Sequence, residues 1–112
     1  MTSGPHLDKM SNVRVISRKT LEDFWKRHPD SRTPLREWFK TALAADWHSL
    51  GNLRQTYPHA DAVDTPNSGT LTVFNICGNK YRLIVRIRYD WQLINIRCVV
   101  THTDYDKDKW KD

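Results

Sequence analysis

The sequence predicts an α+β fold, with a short N-terminal strand, two helices packed on one face of an antiparallel sheet, and a C-terminal three-strand meander in that sheet. Two patterns indicate this fold. Apolar residues recur at helical spacing through residues 18–47, and apolar and polar residues alternate through residues 71–100. With 112 residues and 38% hydrophobic content, the chain suits one compact domain with a modest core.

The N-terminal segment divides into a polar stretch and a short apolar one. Residues 1–9 lack periodicity, and we predict a leader or disordered extension ahead of a single domain over residues 10–112. A first strand is expected around residues 13–16. Ser17 can cap the helix that follows, because its hydroxyl can accept a backbone N–H of the first turn.

Two amphipathic helices come next, separated by Pro29. Their apolar residues follow i, i+3, i+4, i+7 spacing, and Ser31 offers the second N-cap. Periodicity continues to about Trp47, so the pair forms an αα-hairpin. Residues 48–68 are irregular and predict loops, with one helical turn around residues 50–55.

Three strands close the chain, the first over residues 71–76. The adjacent Gly78 and Asn79 are typical of a two-residue turn in a tight hairpin, and Asp90 and Trp91 mark the next turn. Since both helices cover one face of this meander, we expect the opposite face to be open. The charged residues after the last strand predict a solvated, frayed end.

Alternation also sorts the side chains of the last strand between the two faces of the sheet. The face directed at the helices is predicted to hold Ile94, Ile96, Cys98 and Val100. Arg97 and Val99 then lie on the open face. His102 shares the alternation of Val100, so its ring reaches the open face only if the strand ends or twists near Thr101.

Basic side chains concentrate on this hairpin. Residues 79–97 contain one acid, Asp90, and five basic residues, namely Lys80, Arg82, Arg86, Arg88 and Arg97. A net charge of +5 favours polyanionic partners. Charge pattern alone leaves two interpretations open, a plain solvated surface and an anion-binding one.

Neither a metal nor a cofactor is expected. Cys77 and Cys98 lack metal-ligand spacing and a disulfide framework, which favours small buried hydrophobes over redox or metal groups. His28, His48 and His59 also lack ligand spacing. No apolar run approaches the roughly 20 residues of a membrane span, and no secretory signal is evident, so we expect a cytoplasmic protein without membrane partners.

The C-terminal His102, Tyr105 and Asp106 suggest proton-transfer chemistry beside the arginines. Metal-free RNA cleavage needs a base for the 2′-hydroxyl, cations for the phosphate and an acid for the leaving 5′-oxygen. Asp106 can orient the imidazole, and Tyr105 can transfer a proton or stack on a base. A strand-end histidine is also common as a surface or structural residue, so that alternative stays open.

Four short motifs carry a family resemblance. They are VFNI at residues 73–76, GNKYRL at residues 78–83, Ile96-Arg97, and THxxYD at residues 101–106. Together they resemble the HigB-type toxins of the RelE superfamily, ribosome-associated mRNA interferases of bacterial type II toxin-antitoxin systems. The resemblance covers about residues 13–106.

This resemblance implies a RelE-like, compact microbial-ribonuclease-type fold and a metal-independent endoribonuclease that cleaves mRNA on the ribosome. It implies a cognate helix-turn-helix antitoxin of the HigA type, and contact with DNA only through that antitoxin complex. The matching positions give the catalytic candidates Arg82, Arg97, His102, Tyr105 and Asp106, with base and acid unassigned. Lys80 and, from the charge pattern, Arg86 and Arg88 are the candidates for RNA binding.

Two other functions fit the same residues. A basic sheet can hold RNA or a ribosomal surface and block translation without cleavage, because phosphate binding and phosphate-ester cleavage need many of the same cations. A catalytically inactive chain that serves only in an antitoxin-bound repressor complex is the third possibility. New 5′ ends in mRNA would separate the enzyme from both alternatives.

Overall fold

A computed structural model describes residues 13–111. The elements, in chain order, are β1 (Arg14–Ile16), α1 (Lys19–Arg27), α2 (Arg32–Ala44), α3 (Leu50–Thr56), β2 (Asp61–Thr65), β3 (Gly69–Ile76), β4 (Tyr81–Arg88), β5 (Leu93–Thr101) and α4 (His102–Asp106). Short 3-10 helices occupy Pro29–Ser31, Tyr89–Trp91 and Lys109–Lys111. The predicted leader, residues 1–9, lies outside the described residues. Within residues 13–111, no helix has the length and apolar character that crossing a membrane requires.

The strands form one five-stranded sheet in the order β1-β5-β4-β3-β2. β1 runs parallel to β5, and the other pairs are antiparallel. The predicted α+β fold, with its N-terminal strand and C-terminal meander, is confirmed. Residues 61–65 are predicted to be a loop, because Val63 is their one large apolar residue. They instead form the edge strand β2, since their backbone pairs with β3.

The main core lies between the helices and the face of the sheet that they cover, called here the helix face. Leu21, Leu35 and Leu53 come from the three helices and are fully buried. Trp38 of α2 meets Phe74 of β3 edge to face at 5.4 Å between ring centroids. One apolar side of each helix therefore holds it on the sheet.

The N-cap residue of α1 is Arg18 and not the predicted Ser17, whereas Ser31 is the N-cap residue of α2 as predicted, but neither serine forms a capping hydrogen bond. Ser17 has a left-handed φ of +71°, and its hydroxyl points at the Asn95 side chain 3.5 Å away. Ser31 precedes α2, but its buried hydroxyl donates to the His28 carbonyl at 2.7 Å. Each hydroxyl therefore donates to another group and does not accept a backbone N–H of the helix that follows. The helical turn expected near residue 50 is confirmed as α3, capped by Ser49.

A β-bulge at Arg97 changes the predicted faces of the last strand. Ile84 pairs with Cys98, whereas the next residue of β4, Val85, pairs with Ile96, so Arg97 is an extra residue on β5. Beyond the bulge, the alternation of β5 is therefore inverted. Val99 joins the core on the helix face, while Cys98 and Val100 lie on the opposite face, and the three predicted placements are wrong.

The sheet face opposite the helices, called here the outer face, is partly covered rather than open. A second apolar cluster forms there around the buried Leu71, Val73 and Ile84, and Tyr105 and Trp110 pack against it. The end of the described chain thus folds back over the sheet. The prediction of a frayed tail is wrong, because the apolar indole of Trp110 packs against this cluster. That prediction considered only the charged residues around the tryptophan.

The turn between β3 and β4 also differs from its prediction. It spans residues 77–80, and the consecutive left-handed residues are Cys77 (φ +56°) and Gly78 (φ +67°), one position earlier than the predicted pair. Cys77 and Cys98 are unpaired and partly buried, and each packs against one of the two apolar clusters, so the predicted burial is met in part. Burial raises the pKa of the Cys98 thiol above 9.0.

Candidate active site

The final strand ends at Thr101, which meets the condition for His102 to reach the face opposite the helices. The Thr101 hydroxyl accepts the Asp104 backbone N–H at 3.1 Å and so caps α4. The His102 backbone N–H donates to the Lys80 carbonyl at 3.0 Å, which ties the start of α4 to the turn before β4. Together with the inverted alternation after the bulge, this turn brings the His102 side chain to the outer face.

His102 lies between a guanidinium and a carboxylate. Nη2 of Arg82 is 3.3 Å from His102 Nδ1, and His102 Nε2 is 3.4 Å from Oδ2 of Asp106. Arginine can only donate, so this contact makes Nδ1 the acceptor and assigns the proton of the neutral ring to Nε2. Asp106, four residues along the same helix, lies on the same side, with its carboxylate in ion-pair distance of Nε2.

Arg82 is unusual among the arginines because it is 9% exposed. Nη1 donates to the carbonyls of Asn79 at 3.0 Å and Tyr81 at 3.3 Å. Within residues 13–111, no carboxylate forms an ion pair with it. Backbone carbonyls hold this cation in place, and its charge stays available to a ligand anion.

Tyr105 packs against both the arginine and the C-terminal tryptophan. The Arg82 guanidinium carbon lies 5.3 Å from the centroid of the Tyr105 ring, in cation–π contact. Trp110 stacks on Tyr105 at 4.9 Å and donates its indole N–H to the Tyr105 carbonyl at 2.9 Å. Burial, and then the negative charge of Asp61, raises the pKa of the Tyr105 phenol, which therefore stays protonated at neutral pH.

Lys80 is held by a residue from the helical layer. Its ammonium pairs with the carboxylate of Asp30, which also accepts the Tyr81 hydroxyl at 2.7 Å. The hydrogen bonds from Lys80 and Tyr81 lower the pKa of Asp30. The same contacts raise the pKa values of Lys80 and Tyr81.

The remaining cationic candidates lie away from this cluster. Arg86 is exposed, and Arg88 pairs with Asp90 at 3.5 Å and stacks over the exposed Trp91. Arg97 donates to Ser68 at 3.1 Å, in the connection between β2 and β3.

The strand spacing shows how far apart the two arginine candidates are. Arg82 pairs with Val100 across the hairpin, three residues or about 10 Å along β5 from Arg97. The structure brings together Arg82, His102, Tyr105 and Asp106, with Lys80 beside them, and does not bring Arg97, Arg86 or Arg88 into contact with that group.

Two contributors to the cluster escaped sequence reasoning. Asp30 is 50 positions from Lys80 in the chain, and nothing local in the sequence marks it. Trp110 had a usable signal, since it is the one aromatic residue in a run of charged ones. Among residues 13–111, no three His, Cys, Asp or Glu side chains are grouped as a metal site would require.

Comparison with known proteins identifies the family of this chain. The family model for HigB toxins, described as the RelE-like toxic component of a toxin-antitoxin system, matches residues 31–108. The chain is also similar to the mRNA interferase toxin HigB of Escherichia coli K12 and to the mRNA interferases HigB of Escherichia coli O157:H7 and Shigella flexneri. Each is 27% identical over 94 residues, which cover 84% of this chain and 88% of the relative. Because the family match extends over more than half of its length, this chain belongs to the HigB toxin family.

Proposed function

We propose that residues 10–112 form a single toxin domain that cleaves mRNA without a metal ion, on the translating ribosome in the cytoplasm. One observation carries the proposal. Asp106, His102, Arg82 and Tyr105 form an unbroken series of contacts that offers a proton acceptor, a fixed cation and a protonated phenol within one short stretch of surface. The similarity to HigB proteins that are known as mRNA interferases supports the same activity.

His102 is proposed as the general base. In the free protein, the guanidinium of Arg82 occupies the lone pair on Nδ1. A phosphate arriving beside Arg82 competes for that guanidinium and leaves Nδ1 free to take the proton of the ribose 2′-hydroxyl. Asp106 keeps the ring in the Nε2–H tautomer and stabilises the imidazolium that forms.

Tyr105 is proposed as the general acid. The 2′-oxygen attacks phosphorus, the bond from phosphorus to the 5′-oxygen breaks, and the leaving oxygen takes the phenol proton of Tyr105. A cyclic phosphate and a free 5′-hydroxyl result, so protons and bonds balance. The contact of Tyr105 with Arg82 supports this assignment, because the guanidinium carbon that faces the phosphate lies 5.3 Å from the centroid of the Tyr105 ring.

Arg82 is proposed to stabilise the charge that builds up on the phosphate. Its hydrogen bonds to two carbonyls fix the guanidinium before substrate arrives, so little reorganisation is needed during the reaction. Arg97, Arg86 and Arg88 are better placed to hold phosphates along the flanking RNA. Lys80 lies at the edge of the contact series and is proposed to support it.

A toxin of this family acts together with an antitoxin and on a target. We propose that the partners are a helix-turn-helix antitoxin of the HigA type, mRNA and the ribosome. Contact with DNA is proposed only through the antitoxin complex.

Induced expression in growing bacteria tests the activity. The wild type should halt translation and leave new 5′ ends inside coding sequence by primer extension, and His102→Ala should abolish both. His48→Ala is the matched control, because this exposed histidine pairs with Asp46 far along the chain from the cluster. Arrested synthesis with intact message would refute cleavage, and full activity in His102→Ala would refute the site.

A further inference from the structure

A shallow depression of about 700 Å³ opens directly beside His102. Its lining includes His28 from the end of α1, Asn79 and Lys80 from the turn before β4, and Thr103 after His102. Its volume lies in the range of small-molecule sites. The mechanism above uses one wall of this depression, the His102 side, and leaves the opposite wall without a role.

That opposite wall is aromatic. The His28 ring stacks on Phe24 with centroids 4.3 Å apart and planes inclined by 22°, and it lies 5.3 Å from the Tyr81 ring. His28 remains partly exposed where it lines the depression. Flat rings of this kind are the usual platform on which proteins stack unpaired bases.

Lys80 and Tyr81, which also line the depression, both bond the carboxylate of Asp30. Asp30 accepts hydrogen bonds from the Tyr81 hydroxyl and the Lys80 ammonium, so it fixes both side chains and offsets the positive charge of Lys80. A second phosphate would find little unbalanced charge there. Stacking of a neutral aromatic group does not depend on an unbalanced charge, so the pairing of Lys80 with Asp30 does not weaken it.

We propose that this depression is a subsite for one nucleobase of the RNA, next to the scissile phosphate. The base stacks on His28, and the carboxamide of Asn79 bonds its edge with the paired donor and acceptor that an amide provides. His28 and Asn79 thereby set base preference. This inference rests on the proposed function, since it places the base relative to His102.

Binding of uncleavable RNA tests the subsite without requiring catalysis. The probe is a fluorescein-labelled, fully 2′-O-methylated heptanucleotide, together with seven versions that each carry one abasic position, measured by fluorescence anisotropy. His28→Ala should weaken binding of the complete probe by about fivefold or more. The same substitution should have no effect on the version that lacks the stacked base.

Two further variants separate stacking from loss of fold. His28→Phe keeps a flat ring on Phe24 and should retain most of the affinity. Asn79→Ala changes an exposed turn residue and should lower discrimination among bases at the same probe position. Circular dichroism of each variant should match the wild type.

Mapping of 5′ ends in induced cells provides the second readout. His28→Ala and Asn79→Ala should flatten base preference at one position beside the cut, while cleavage itself continues. An unchanged preference, together with unchanged probe affinity, would overturn the subsite and leave the cleavage proposal standing. Intact message with the wild type would overturn the cleavage proposal, and the abasic series would still decide whether a base is bound.

Discussion

The two ends of the β4–β5 hairpin carry arginines in the same alternating pattern but in different surroundings. At the site end, where Tyr81 pairs with Thr101, Arg82 is 9% exposed and its guanidinium bonds two carbonyls and a histidine. At the turn end, where Arg88 pairs with Leu93, Arg86 is exposed to solvent.

Burial accounts for the difference in what the two ends can do. An exposed arginine is screened by water and ions, so it attracts RNA without orienting it. A buried one acts in a lower dielectric and from a fixed position. Arginines of equal formal charge are therefore expected to have different roles because their burial differs. The arginine at the site end takes part in the chemistry, and those at the turn end attract RNA non-specifically.

The largest expected effect comes from removing the buried arginine. Arg82→Ala should lower the cleavage rate by on the order of 10² to 10³, because it removes the fixed cation that faces the phosphate. Arg82→Lys should also be impaired, since an ammonium cannot reproduce the planar fork. Single-turnover cleavage of a defined message measures both.

Arg86→Ala is the matched variant at the turn end. It should change the rate by no more than a few fold and reduce the salt dependence of RNA affinity by about one phosphate contact. Equal losses in Arg82→Ala and Arg86→Ala would erase the proposed difference between the two ends.

The next largest effect concerns the orientation of the histidine. Asp106→Asn should slow cleavage about tenfold, because the amide no longer stabilises an imidazolium at His102 although it can still accept from Nε2. Asp104→Asn is the control on the same helix, where Asp104 pairs with Lys107 at 3.8 Å. Rates across pH should show the loss in Asp106→Asn alone, and a matching loss in Asp104→Asn would point to the helix and not to the histidine.

The tryptophans of the two ends provide a comparison of stability. Trp110→Ala should lower the free energy of unfolding by about 1–2 kcal/mol, from the lost stacking on Tyr105 and one hydrogen bond. Activity should fall severalfold as Tyr105 becomes mobile. Trp91→Ala removes a side chain that is 60% exposed and should cost clearly less in urea denaturation. A larger cost for Trp91→Ala would contradict this description of the site end.

The smallest expected effect is electrostatic and depends on pH. The folded-state pKa of Asp30 is lowered from 3.8, so its ion pair stabilises the fold above that value and is lost as the pH falls through the folded pKa. Asp30→Asn should therefore unfold at lower urea than the wild type at neutral pH, with the gap closing in acid. A gap that persists in strong acid would show that packing, not charge, dominates at this exposed pair.

Sequence reasoning located the hairpin, its arginines and the C-terminal motif because these depend on local periodicity. The helical core followed in the same way, since α1 and α2 each keep an apolar stripe at 3.6-residue spacing. Alternation along β4 places Arg82, Arg86 and Arg88 on one face. It could not say which of them would be buried.

The missed features depend on contacts between distant segments. β2 is a strand because β3 offers it a partner, and its own sequence gives little sign of one. The bulge at Arg97 arises from the pairing of two strands and leaves no mark in the sequence of one. Asp30 and Trp110 reach the site only after the helical layer and the chain end have folded against the sheet.

The bulge at Arg97 decides which face of the sheet every later residue of β5 occupies. If Arg97 were paired as a regular strand residue and not accommodated as a bulge, Val100 would turn toward the helices and Val99 away from them, and α4 would leave the strand from the other side of the sheet. His102 and Asp106 would then sit behind the sheet, out of reach of Arg82. Regular pairing through Arg97 would thus dismantle the cluster while leaving every one of its side chains in the sequence.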